Sequence, residues 1–391
     1  MLDTPFAPWP EFSEEEMQAV SQTLRSGRVN YWTGQECRKF EREFADWAGM
    51  RHAVSLSNGT LALDAALRAL NIGSADEVVV TPRTFLASVS CVINAGARPV
   101  FADVDLDSGN LTAQTVQQVL TPKTKAILCV HLGGWPCEMD SLVELARAHK
   151  LKVIEDCAQA HGASFRGRSV GTWGDIGAWS FCQDKILSTG GEGGMVTTND
   201  HDLWSAMWSY KDHGKSWQAV YEREHPPGYR WLHESFGTNW RMLEVQAAIG
   251  RVQLRRLSGW SERRQVLARR IRAAALPLAA LRAPAPPEHA LHAYYRQYVY
   301  VRPQELARGW SRDRIVEEVR ARGVPCYQGS CSEVYLEKAF DGTGLRPPVR
   351  LPHARELGDT SLMFLVHPTI TDEQSDLNCR VLREVAEAAS R

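Results

Sequence analysis

Residues 53–80 read AVSLSNGTLALDAALRALNIGSADEVVV, and the order of their parts decides the fold. Ala53–Leu56 is a short apolar strand, Ser57–Thr60 a loop of small residues, LALDAALRAL a helix and Glu77–Val80 a second apolar strand. The alternation continues downstream. A helix is expected from Thr84 to about Ala95, a strand over Pro99–Val104, a helix near Thr112–Leu120 and a strand over Lys125–Val130. A helix from about Asp140 to His149 and a strand over Lys152–Ile154, ending at Glu155 and Asp156, complete the series. Mostly unbroken apolar strands between helices predict an α/β fold whose mainly parallel sheet is covered on both faces. Ligands of such sheets sit beyond the carboxyl ends of the strands, so chemistry is sought there.

Upstream, residues 11–27 read as an amphipathic helix opened by Ser13, with Glu14, Glu15 and Glu16 in its first turn. NYWTGQE (Asn30–Glu36) is a loop, and Phe40–Trp47 a second helix. Downstream, Arg241–Leu257 is a helix with Met242, Val245, Ile249 and Val252 on one stripe. Beyond Leu276 the composition shifts. APAPP (Ala283–Pro287) is a stiff connector, followed by a strand at Tyr298–Val301, a helix over Ser311–Arg322 and a last helix after Thr371. The expected division is a large domain over residues 1–255 and a smaller C-terminal α/β domain over residues 256–391.

The 391 residues and 44% hydrophobic content allow two cores. Acidic and basic residues nearly cancel, 46 against 45, which argues against nucleic acid or an anionic membrane as partner. The first residues, MLDTPFAPWPEFSEEE, lack a basic region followed by an apolar core, and no apolar run approaches membrane-spanning length. Nine cysteines, odd in number and scattered without metal-ligand spacing, point to reduced thiols in a cytoplasmic protein and to no metal site.

Four pieces carry chemistry. Ser57, Asn58, Gly59 and Thr60 sit where a strand hands over to a helix, where backbone N–H groups and the helix dipole can face a phosphate. An ordinary helix cap has the same look. Phe85, just after the second strand, can cover a flat ring or simply pack in the core. Asp156 at the end of the fifth strand can pair with a pyridinium nitrogen, with Gln159 and His161 close by, or it can merely cap a helix. Lys185 lies in AWSFCQDKILSTGGEGGMVTT (Ala178–Thr198), between two apolar runs and before Gly190, Gly191, Gly193 and Gly194. Glycines at that density mean either backbone that side chains forbid or a group lying very close to the chain. Alone, Lys185 reads equally as a surface lysine. A lysine held there, with its pKa lowered by burial, can instead form a Schiff base. Phosphate cradle, ring cover, pyridinium partner and amine, in that order, are what pyridoxal 5'-phosphate requires.

EDCAQAHGA (Glu155–Ala163), WSFCQDKILSTGGEGG (Trp179–Gly194), DHG (Asp212–Gly214) and GTNWRMLEVQAAIG (Gly237–Gly250) resemble the DegT/DnrJ/EryC1/StrS sugar aminotransferases, over essentially the whole chain. The resemblance implies a fold-type I pyridoxal phosphate-dependent transferase and a homodimer with active sites at the subunit interface. It implies that Lys185 bonds the cofactor and shuttles the proton, Asp156 holds the ring nitrogen, Gln159 meets the phenolic oxygen side and Phe85 stacks on the ring. Gly59, Thr60 and Ser180 would hold the phosphate, joined by Asn239 of the neighbouring subunit, while Trp32, Thr33 and His213 match positions on the sugar side. Cys182-Gln183-Asp184 replaces the His-Pro pair of many members, and residues 325–340 differ too, which leaves the sugar open.

The reaction implied moves an amino group from L-glutamate to a nucleotide-linked keto-sugar, with a 4-keto-6-deoxyhexose favoured by the family alone. Amination of a cyclic non-sugar ketone stays open. Lys185 argues against a sugar dehydratase, the intact set argues against a non-catalytic regulator, and no G-x-G-x-x-G follows the first strand to suggest a nicotinamide enzyme.

Overall fold

The computed structural model describes residues 6–225, 228 and 230–391. The first five residues of the expected large domain lie outside the described residues, as do 226, 227 and 229. The large unit contains helices α1 (Glu14–Arg25), α2 (Glu36–Ala48), α3 (Gly59–Ala69), α4 (Ala87–Asn94), α5 (Ala113–Gln117), α6 (Met139–Ala148), α7 (His201–Lys211) and α8 (Trp217–Tyr221). Its strands are β1 (His52–Leu56), β2 (Glu77–Val80), β3 (Arg98–Phe101), β4 (Thr124–Val130), β5 (Lys152–Asp156), β6 (Ser164–Phe165), β7 (Arg168–Ser169), β8 (Ile176–Ser180) and β9 (Gly194–Thr198).

Seven of these strands form one sheet in the order β1-β9-β8-β5-β4-β2-β3. The five from β3 to β8 in that order are mutually parallel, whereas β9 runs antiparallel to both β8 and β1. The alternation of side chains along each strand splits the core in two. Val78, Val80, Ala126, Leu128 and Ile154 pack beneath α3 and α4 with Ala62, Leu63, Val89 and Val92. Val79, Ile127, Cys129 and Val153 face the other way, onto Val116 of α5 and Met139, Leu142 and Ala146 of α6. Helix α5 is shorter than the Thr112–Leu120 expected: it stops at Gln117, before a turn that leads to Pro122.

Helix α9 (Glu244–Ala275) runs well beyond the Leu257 expected. Ala247 and Leu257 belong to the core of the large unit, while Leu267, Ala268, Ile271 and Ala274 belong to the core of the second. Residues 255 and 256 therefore lie inside one continuous helix. The second unit adds β10 (Leu281–Arg282), β11 (Ala290–Leu291), β12 (Gln297–Val301), β13 (Cys326–Tyr327) and β14 (Ser361–Phe364). Its antiparallel sheet, β10-β12-β14-β13, packs against α9, α10 (Arg312–Ala321) and α12 (Asp372–Ala389), with α11 (Pro352–Thr360) leading into β14. β11 pairs instead with β6 of the large unit, a second tie between the two.

Candidate active site

A cavity of about 690 Å³ opens beyond the carboxyl ends of β4, β5 and β8. Gly59 and Thr60 begin α3 at one wall, and the Asn58 side chain caps the helix by accepting the Leu61 N–H at 3.0 Å. The first turn of a helix presents N–H groups without intrahelical partners and the positive end of the dipole. Gly59 lies flush against β8, because a Cβ there would stand 2.5 Å from Ser180 Cβ. Glycine thus brings the Ser180 hydroxyl beside the helix start.

Asp156 forms the floor. Its Oδ2 accepts the Ser88 hydroxyl at 2.7 Å and its Oδ1 the Ala158 N–H at 3.0 Å. Burial nevertheless pushes its carboxyl above the ordinary 3.8, against the opposing pull of those two bonds and of Lys185. Lys185 stands in the loop between β8 and β9, its Nζ 4.0 Å from Asp184 Oδ1 and 5.1 Å from the centre of the Tyr295 ring. Burial pushes the amine down, but Tyr295, Asp184 and Asp156 outweigh it and the net shift is upward. The lowered amine expected from burial is therefore corrected: the lysine is desolvated, yet its neighbours favour its charge. In the glycine run after it, Gly190 and Gly191 have positive φ, of 88° and 127°. Gly193 and Gly194 instead make close approaches, a Cβ at Gly194 falling 2.3 Å from the Asn58 carbonyl oxygen.

Phe85 is 69% exposed at the start of α4 and lines the cavity. Gln159 lines it as well, its Oε1 accepting the Gly133 N–H at 2.7 Å. Two residues that sequence reasoning missed, Tyr295 and Arg296, reach in from the second unit. The Tyr295 hydroxyl donates to Asp184, Arg296 lies 3.4 Å from the same carboxylate, and its guanidinium stacks 4.0 Å from the Tyr295 ring. They stand 111 and 112 positions from Asp184, and no local pattern marks them.

A carboxylate, an amine and a helix start facing one cavity of this shape suit a phosphorylated aromatic cofactor, and the sequence comparison agrees. The model of the DegT/DnrJ/EryC1/StrS aminotransferase family matches residues 10–383. The chain belongs to this family. It is an aminotransferase, 59% identical to the solved aminotransferase from Psychrobacter cryohalolentis, with a TM-score of 0.97 over 98% of this chain and 100% of that one. It is 35% identical over 387 residues to the dTDP-3-amino-3,4,6-trideoxy-alpha-D-glucose transaminase of Streptomyces venezuelae, covering 98% of this chain and 95% of that protein. With the GDP-perosamine synthase of Escherichia coli O157:H7 it shares 40% identity over 259 residues, which cover 66% of this chain and 68% of that protein.

Family membership implies pyridoxal phosphate, and the residues of this aminotransferase fit it. A helix start whose Gly59 leaves no room for a Cβ against Ser180, the Ser180 hydroxyl beside it, a desolvated carboxylate and an amine line one cavity. Behind Asp156 lies a group of metal-ligand type: His131, Glu155 and Cys157 place one ligand atom each within 4.8 Å of one another. Glu155 is already saturated there, accepting N–H groups from Gly171, Trp173 and Gly174 at 2.7–2.8 Å and facing His131 Nε2 at 3.1 Å. That set reads as a tie between loop and strand. His161 is buried against the Trp179 and Phe181 rings, and neither ring nitrogen has a hydrogen-bond partner among the described residues.

The other expected site residues lie outside this cavity of their own chain. The Ser57 hydroxyl donates to the Arg241 carbonyl at 3.0 Å. Trp32 packs among Trp208 and Tyr221 with Lys215 Nζ 4.0 Å from its ring, and the Thr33 hydroxyl bonds the Asn30 carbonyl. His213 has a φ of 61° and its N–H meets the Thr238 carbonyl at 2.9 Å, while Asn239 bridges to Asp212. Asp212 is fixed by Lys215 at 3.1 Å and Arg241 at 2.7 Å. Among the described residues no helix is long and apolar enough to cross a membrane.

Proposed function

We propose that this aminotransferase uses pyridoxal phosphate to move an amino group from L-glutamate to a nucleotide-linked keto-sugar, with a 4-keto-6-deoxyhexose as the first acceptor to try. The observation that carries the reading is the meeting of Lys185, Asp156, Ser180 and the start of α3 on one cavity. The sugar-nucleotide names of two relatives support the acceptor class.

When bound, the cofactor supplies an electrophilic carbon and a ring that withdraws electrons. Gly59, Thr60 and Ser180 hold the phosphate through N–H and O–H donors at the positive end of α3. Phe85 covers one face of the ring, and Gln159 orients its phenolic side. Asp156, fixed by Ser88 and Ala158, keeps a proton on the ring nitrogen. Lys185 would anchor the cofactor and, as general acid–base, would carry the proton taken from the donor Cα. Tyr295 and Arg296 hold the Asp184 carboxylate beside that amine.

The family resemblance assigns Asn239 to the site of a neighbouring subunit, and the position of Asn239 outside its own cavity fits a homodimer in which that residue completes the other chain's site. The test is an absorbance spectrum of the purified protein before and after L-glutamate. A visible band should fade with glutamate and return with one nucleotide keto-sugar of a panel, while Lys185→Ala should abolish turnover. A panel answered only by a cyclic ketone without a nucleotide would favour the second acceptor class.

A further inference from the structure

The peptide of Lys185 is held from far away in the chain. Its N–H bonds the Cys182 carbonyl at 3.0 Å inside its own loop. Its carbonyl oxygen accepts the Trp9 indole N–H at 2.8 Å, across 176 positions of sequence. Three bodies meet on that indole. Trp260 of α9 packs edge-on at 5.2 Å, the Arg264 guanidinium of the same helix lies 5.2 Å from the ring, and His367 of the second unit stacks at 6.1 Å. The neighbouring peptide is tied too: the Thr369 hydroxyl donates to the Pro8 carbonyl at 2.9 Å, and Phe6 is buried in the second unit's core.

We propose that Trp9 is a positioning residue, whose indole N–H fixes the backbone from which Lys185 reaches its proton-transfer partners and ties that backbone to the second unit. A general acid–base must visit two atoms from one anchor, and a displacement of about 1 Å can cost on the order of a hundredfold in rate. The loop that carries Lys185 is irregular, so its peptides lack the ladder that would fix a residue within a strand. Beyond the lysine the side chains of Ile186 and Leu187 are buried in the core, and the Ser188 N–H meets Gln253 of α9 at 2.9 Å. Without the indole N–H, the Lys185 carbonyl loses its partner in a half-buried place, and the lysine's backbone keeps only the local Cys182 bond and the burial of Ile186 and Leu187 to hold it. The ring alone would serve packing against Trp260 and His367. The N–H serves Lys185.

Trp9→Phe separates the two, since it keeps an aromatic ring and removes the donor. Turnover of the cofactor-loaded Trp9→Phe protein should fall about tenfold to a hundredfold, with KM close to the parent's and the melting temperature nearly unchanged. A second readout uses the cofactor-free protein, with Lys185 acylated by a small amine reagent and followed by peptide mass spectrometry across pH. A loosened Lys185 moves away from Asp184 and Tyr295, so its labelling profile should shift to lower pH, reactivity rising about tenfold for each unit. The proposal rests on the role given to Lys185 above. If the parent shows no transamination, that reading fails while the labelling arm still decides the role of Trp9. A Trp9→Phe protein with parental turnover and a parental labelling profile overturns it, as does one whose losses merely follow a lowered melting temperature.

Discussion

At the end of β5 the chain sets two carboxylates side by side and sends them to opposite faces of the sheet. Glu155 meets three backbone N–H groups and a histidine, with no acceptor capacity left and no space in front of it. Asp156 has two partners, a carboxyl pushed upward by burial, and the cavity before it. The first arrangement makes a mechanical tie. The second leaves a buried acid whose remaining capacity can be spent on a ligand.

Substitutions can break this contrast. Asp156→Asn should keep the fold and lower turnover on the order of a hundredfold or more, read as kcat at saturating donor. Glu155→Gln should do the reverse, costing about 2–3 kcal/mol in denaturant unfolding, because an amide NH2 must then face backbone donors. If Glu155→Gln lost only activity, the division between the two faces would be wrong.

Acid stability sharpens the contrast further. Burial pushes His161 down to about 3 from an ordinary 6.5, so the folded state binds fewer protons than the unfolded chain between those values. Its contribution is present above pH 6.5 and is lost as pH falls toward 3. His161→Phe should therefore flatten the fall of melting temperature with acid, while His292 and His367, each also held near 3, keep part of the slope. Asp156 has the opposite sign in the cofactor-free protein. Its raised carboxyl favours the folded state at low pH and loses that contribution as pH rises past the ordinary 3.8, so Asp156→Asn should gain relative stability with rising pH. The smallest expected effect is that of Ser88→Ala, which removes one bond to Asp156 and should cost about 1 kcal/mol with only a few-fold loss of turnover.

Much of this was legible in the sequence because it is local. The alternation from Ala53 to Asp156 prescribes the sheet, and the small residues at Asn58–Thr60 and the glycines after Lys185 mark where backbone must come close. What escaped is what distance along the chain hides. Tyr295, Arg296 and Trp9 reach the lysine from other parts of the molecule, and their contacts depend on how the two units pack. The reversal of β9 leaves no trace in composition, since a strand buried on both faces reads alike in either direction. The far half of α9 escaped because SGWSERRQ (Ser258–Gln265) interrupts the apolar stripe with a glycine and charge.

That helix imposes a constraint on how the gene can change. Each residue of an α-helix turns the chain by about 100° and advances it about 1.5 Å. One codon gained or lost near the middle of α9 would swing everything downstream by that angle and carry Tyr295 and Arg296 off the cavity, although the insertion itself would sit in a harmless-looking stretch. Four codons would nearly restore the phase but leave the second unit about 6 Å out of place. Length variation among working copies of this enzyme should therefore collect in the loops on either side, leaving α9 as a ruler of fixed count.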